Sequence, residues 1–147
     1  MALKTIWPQE LTEVSTTALN QVGEIVNSPD GTKSYMYVQA NGTIAVKDAV
    51  RLDPAVNDGS SVLSTGAINQ HCLGVALVAM VLDDFAWIQI RGAATCKVIA
   101  ATAAGAILAT GTTTGTLKVA IAAELGPGKG IVALETGVAA GSLIRLD

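Results

Sequence analysis

Trp87-Ile88-Gln89-Ile90-Arg91-Gly92 is the stretch on which the fold turns. Trp87, Gln89 and Arg91 fall on one side of an extended chain and Ile88 and Ile90 on the other, the period of two that marks a strand. Leu143-Ile144-Arg145-Leu146 repeats the alternation near the other end of the chain. Each is preceded by a glycine-led apolar run, Gly74-Val75-Ala76-Leu77 before the first and Gly130-Ile131-Val132-Ala133-Leu134 before the second. This echo predicts two similar hairpins that pack together in a small barrel or sandwich.

Outward from these runs the chain keeps the same rhythm. Turn residues Ser28-Pro29-Asp30-Gly31, Asn41-Gly42, Asn57-Asp58-Gly59 and Thr112 to Gly115 separate short apolar runs, and Asn-Gly and Asp-Gly tolerate the positive φ of tight hairpins. Strands are expected at 35–40, 44–52, 73–81, 86–91, 94–100, 116–122, 130–135 and 142–146. The alanines of 102–109 suit a helical turn or a strand, and Gly105 with the turn that follows favours a strand. The fold class is all-β: a small β-barrel or sandwich of short antiparallel strands. Residues 1–21 lack alternation and read as an extended N-terminal arm, leaving 22–147 as the β-rich domain. Leu3, Ile6, Trp7 and Leu11 are costly to leave in water, so the arm either folds back on its own domain or docks on a partner.

Composition narrows the function. The 147 residues are half hydrophobic, 14% charged and 3% aromatic, which excludes disorder and gives a core of small aliphatic side chains. Such a core leaves apolar surface for self-assembly or docking; a well-packed Ala-rich monomer is the plainer alternative. Nine basic against twelve acidic residues supply no surplus for phosphate contacts, so nucleic acid is not an expected partner. The charge-free run 98–117 is long enough for a membrane span, but Gly105, Gly111, Gly115 and Thr112 to Thr114 divide it. No membrane partner is expected. Met1 to Leu11 holds Lys4 and Pro8 and no continuous apolar core of a secretion signal.

Reactive constellations are not found. His71 is the one histidine and has no partner that spacing places beside it. Ser60, Ser61 and Ser64 lack the glycines of a nucleophile elbow. Asp83 and Asp84 are adjacent, point to opposite faces if extended, and read as a solvated turn. Asp53, Asn57, Asp58 and Gly59 lack the ligand spacing of a calcium loop. Gly126-Pro127-Gly128-Lys129-Gly130 lacks the first glycine and the hydroxyl of a phosphate loop. Asn41-Gly42-Thr43 fits a glycosylation sequon but reads as a hairpin turn. Cys72 and Cys96 have no zinc-ligand spacing; they are either buried free thiols or, if their strands are neighbours, a disulfide. No enzymatic activity, metal or cofactor is expected.

The glycine-led runs Gly74-Val75-Ala76 and Gly130-Ile131-Val132-Ala133, the strand from Trp87 ending in Arg91-Gly92, the run from Ala94 to Val98, and Gly105 to Leu108 with Gly115 to Val119 together resemble capsid decoration, or cement, proteins of tailed bacteriophages. The resemblance covers roughly residues 22–147 and is one of pattern. It implies a structural virion protein, made in the host cytoplasm, that binds the outer capsid surface as a homotrimer and braces the major capsid protein lattice. Physical reasoning nominates Leu3, Ile6, Trp7, Pro8 and Leu11 as the capsid-binding residues. Two other classes stand beside it: a carbohydrate-binding or head-fibre module, for which four Trp and Tyr residues are few, and a small enzyme, for which His and paired acids are lacking.

Overall fold

The computed structural model describes residues 10–53, 61–64, 72–99, 102–111, 113–120, 131–136 and 141–146. Among these residues a 3-10 turn at Glu10–Thr12 precedes ten strands: β1 (Ile25–Asn27), β2 (Ser34–Ala40), β3 (Ala49–Leu52), β4 (Ser61–Ser64), β5 (Gly74–Ala76), β6 (Phe85–Cys96), β7 (Ile107–Thr110), β8 (Leu117–Val119), β9 (Ile131–Ala133) and β10 (Ser142–Leu146). The all-β expectation holds; several boundaries do not. The strands expected at 86–91 and 94–100 are one, because Gly92 at φ +90° bends the chain without ending it. There a Cβ would meet the Thr32 carbonyl at 2.5 Å, so only glycine fits the bend. The run 44–52 is cut to β3 by a turn at 45–48, and 73–81 to β5, with Met80 returning to bridge Ile44. In the ambiguous stretch a turn at 103–106 leads into β7.

β2, β4, β3, β5 and β6 are hydrogen-bonded in that order, and β6 pairs back onto β2, so five strands close a barrel. The β2–β4 contact is parallel and the rest are antiparallel. Val38, Ala40, Val50, Val62, Ala76 and Ile88 fill its interior together with Ile44, Met80 and Ala86.

The second half of the chain repeats this plan. Strands β10, β9, β7 and β8 follow β6 in the order in which β6, β5, β3 and β4 follow β2. Registers match pair for pair. Ala76 faces Ile88 and Val75 faces Gln89 in the barrel; Ala133 faces Ile144 and Val132 faces Arg145 in the second unit. Ala49 faces Val75 as Ile107 faces Val132, and Leu52 faces Val62 as Thr110 faces Leu117. The distal half of β6 takes the part of β2, meeting β10 antiparallel and β8 through one parallel bridge, Val98 to Leu117. Turns agree as well: Lys47 (φ +68°) donates its N–H to the Ala76 carbonyl, and Gly105 (φ +82°) donates to that of Ala133. Six interior side chains have direct counterparts, Cys96, Val98, Leu108, Leu117, Ala133 and Ile144. The short echo in the sequence is therefore the visible part of a repeat that spans whole five-stranded units.

A third apolar cluster lies outside the barrel. Tyr35, Tyr37 and Trp87 stand on its outer face and are covered by Val26 of β1 and by Leu11 and Val22. Backbone bonds hold this N-terminal segment down: Ser15 bridges Phe85, Gly23 N–H donates to the Tyr37 carbonyl, and Tyr37 N–H donates to that of Glu24. The Tyr37 hydroxyl also accepts the Leu19 N–H at 3.2 Å. From residue 10 onward the segment lies on its own barrel.

Candidate functional site

Paired residues of antiparallel strands share a face, so the registers define the outer face of the second unit. It carries Ile107, Val132, Leu134 and Leu143, with Ala93, Thr95 and Ala109 between them and Arg145 and Lys118 beside them. Leu143 is 38% exposed, Leu134 41% and Ile107 43%. Their counterparts in the barrel are covered: Trp87 is 2% exposed, Ala49 fully buried, and Leu77 packs beneath the N-terminal segment. Tyr35 and Tyr37, buried in the barrel, correspond to half-buried Ala93 and exposed Thr95. This open sheet face is the principal candidate surface. A second apolar feature is the tip of the turn 81–84, where Val81 and Leu82 are 58% and 57% exposed.

Barrel and second unit meet at a polar lock. Asp48 is buried, and its carboxylate accepts the Ala45 N–H at 2.9 Å, the Ser64 hydroxyl at 2.8 Å and the Lys97 ammonium at 2.5 Å. Lys97 belongs to the second unit and donates its backbone N–H to the Lys47 carbonyl. Gly115 lies so close to the Asp48 carboxylate that a Cβ there would meet it at 2.4 Å. Both oxygens of the Asp48 carboxylate are engaged, Oδ1 by Lys97 and Oδ2 by Ala45 and Ser64, so the arrangement ties the two bodies together.

The polar residues weighed in the sequence and set aside as reactive groups have these partners where they are described. Asp84 is buried and accepts the Val81 N–H, whereas exposed Asp83 at φ +69° accepts the Gln39 side-chain amide. The turn was foreseen, but Asp84 is not solvated. Asp53 is buried beside Asn41, whose side-chain amide donates to it. Ser64 serves Asp48. Ser61 lies in β4, not in a loop. Asp30 is held down to about 2 by the Ser28 hydroxyl and by the Thr32 N–H and hydroxyl, which ties the β1–β2 loop. Cys72 and Cys96 are both free thiols packed in the core of the second unit. Burial pushes Cys72 up to about 12 and raises Cys96 further above a usual thiol. Among the described residues no three His, Cys, Asp or Glu side chains converge as a metal site would need, and no helix is long and apolar enough to cross a membrane. His71, Asn57, Asp58 and residues 126–130 lie outside the described residues.

Of the five capsid-binding candidates, Leu3, Ile6, Trp7 and Pro8 also lie outside the described residues. Leu11 is half-buried against Trp87 and its neighbours. The open face of the second unit was not foreseen. Its signal in the sequence was present in the alternation of Leu143 and Arg145, which resembles any solvated strand face until the covered counterpart in the barrel is known. No protein-family model matches the chain, and no curated protein or solved structure is significantly similar to it.

Proposed function

We propose that the protein is a structural virion component that binds the outer surface of a phage capsid, assembles as a homotrimer and stabilises the major capsid protein lattice. The observation that carries this reading is the apolar surface the fold leaves outside. Twelve large aliphatic side chains are exposed among the described residues, and three of them, Ile107, Leu134 and Leu143, share the open sheet face of the second unit; apolar side chains grouped on one exposed face are suited to contact with other chains. The pattern of strands that resembles decoration proteins supplies the identity of the partner. Leu3, Ile6, Trp7 and Pro8 are the groups proposed to reach a capsid subunit, with Leu11 anchoring the arm on the barrel.

The mechanism is linkage. A protein that binds the assembled lattice and not its free subunits stabilises the lattice by its binding free energy, and several copies joined together multiply a weak contact through avidity. No covalent step is involved. Among the described residues, Tyr35, Tyr37 and Trp87 are buried and present no open ring for the stacking that the sugar-binding alternative needs.

The test is co-sedimentation of the purified chain with undecorated capsids, alongside its mass in solution. Binding that saturates at a fixed ratio to the major capsid protein and raises the capsid's melting temperature supports the proposal. A protein that ignores every capsid lattice, or a catalytic activity lost on replacing His71, Asp83 and Asp84 by Ala, overturns it.

A further inference from the structure

Asn41-Gly42 is the one Asn-Gly pair in the sequence, and it stands where the barrel closes on itself. The parallel contact of β2 with β4 runs over two pairs, Gln39 with Ser61 and Ala40 with Val62, and Asn41 extends it by donating its backbone N–H to the Val62 carbonyl at 2.9 Å. The Asn41 side-chain amide then donates to the carboxylate of buried Asp53, just past the end of β3. This clasp ties β2, β3 and β4 at one end of the closing seam. The second unit has no such clasp: by the matching registers Ile99 and Gly111 stand where Asn41 and Asp53 stand, and Ile99 donates its N–H to the Leu117 carbonyl without any amide or carboxylate beside it. Gly42 cannot be exchanged to protect the pair. It holds φ +144°, and a Cβ there would press on the Leu63 side chain at 3.2 Å.

Asparagine followed by glycine is prone to cyclise, because no Cβ screens the glycine nitrogen from the side-chain carbonyl carbon. Gly42 N bonds to Asn41 Cγ, the Cγ–Nδ2 bond breaks, and ammonia leaves with the proton that the Gly42 nitrogen gives up. Water then opens the succinimide at either carbonyl, giving aspartate or, with the main chain rerouted through the side chain, isoaspartate. No other reactant is needed. Cyclisation requires the Asn41 amide to turn away from Asp53, and the nearby carboxylate opposes the negative charge that builds on the attacked carbonyl. We propose that Asn41 is a deamidation site gated by the fold: the clasp with Asp53 holds the reaction off while the barrel is closed, and the product sets a second carboxylate against Asp53 and weakens the seam. Amide and carboxylate attract in that buried place, whereas two carboxylates repel. The change runs one way, since the ammonia is lost, and it makes the barrel the half of the molecule that ages at this position. It requires no partner and is independent of the capsid reading.

The experiment is peptide mapping of the full chain by mass spectrometry after incubation in mild alkali, folded and in denaturant, reading the one-dalton gain at residue 41. The folded chain is expected to deamidate there about tenfold or more slowly than the denatured chain, since the reaction waits on local opening of the seam. Asp53→Ala is expected to raise the folded rate several-fold, with circular dichroism checking that the variant folds. Asn41→Asp reproduces the charge of the product and is expected to melt below the parent. The reversed pair, Asn41→Asp with Asp53→Asn, is expected to regain most of that loss, because amide and carboxylate have exchanged places; it carries the test of the clasp if Asp53→Ala does not fold. Equal rates in the folded and denatured chains, a folded Asp53→Ala that reacts no faster, or a reversed pair no more stable than Asn41→Asp alone overturns the inference.

Discussion

Trp87 and Leu143 occupy the same place in two renderings of one architecture. Each faces outward from the strand that closes a five-stranded unit, and each lies across from the matching residue of the strand before it, Tyr37 in one case and Thr95 in the other. Around Trp87 the sequence carries aromatic rings and a preceding segment that buries them; around Leu143 it carries small side chains and an arginine, with no cover among the described residues. The difference teaches that the strand order sets the inside of each unit, while the outside is decided by what the rest of the chain lays over it.

The largest expected effect tests that contrast directly. Trp87→Ala removes a fully covered ring and is expected to cost about 3 to 5 kcal/mol of unfolding free energy, whereas Leu143→Ala is expected to cost about 1 kcal/mol or less because water already reaches that side chain. Urea titration of both variants measures the gap, and equal losses would break the comparison. Next comes the lock between the halves. Asp48→Ala strands the Lys97 ammonium, the Ser64 hydroxyl and the Ala45 N–H; Lys97 keeps about a third of its side chain in water, so the expected loss is about 2 to 3 kcal/mol. A variant as stable as the parent would show that packing alone joins the units.

The matching turns sharpen the comparison at smaller scale. Lys47 adopts a positive φ that its counterpart Gly105 adopts without strain. Lys47→Gly is expected to change stability by less than about 1 kcal/mol, gaining from relieved strain and losing to chain entropy, while Gly105→Ala is expected to cost about 1 to 2 kcal/mol, since a Cβ there meets no neighbour and only the backbone objects. The smallest effect concerns the thiols. Burial raises both cysteines in the folded state, to about 12 for Cys72, so the stability they contribute is fully present below the unfolded thiol value near 9 and is lost as pH rises from there toward 12. Folded protein at pH 8 is expected to react slowly with a thiol reagent, and denatured protein at once at both sites; rapid labelling of the folded chain would mean that the second unit opens readily.

The strand pattern was legible wherever alternation met burial. The β10 strand reads correctly because Ser142, Ile144 and Leu146 face a core and Leu143 and Arg145 face water. β6 also reads as a strand, but it is buried on both faces over Ala86 to Gln89, and Gly92 looked like an end when it is a bend. β1 and β4 went unread because Ile25–Asn27 is too short to alternate visibly and Ser61–Ser64 is bounded by hydroxyls. The turn at 45–48 carries no Gly, Pro or Asn; a buried aspartate and a strained lysine make it, and neither announces a turn in sequence. The repeat was visible only at its two hairpins, since Tyr37 and Thr95, or Gln89 and Arg145, share a place and no chemistry. The open face was invisible for the same reason: exposure there is a fact about missing cover, which no single strand records.

β6 is a party wall. Its first half completes the barrel and its second half opens the other unit, with Gly92 as the corner between them. Neither room can lose that wall and stand, so heating should give one cooperative transition, with the amides of Ile88 and Ala94 exchanging against deuterium at the same global rate. Two separate melting steps would mean that the masonry is divided after all.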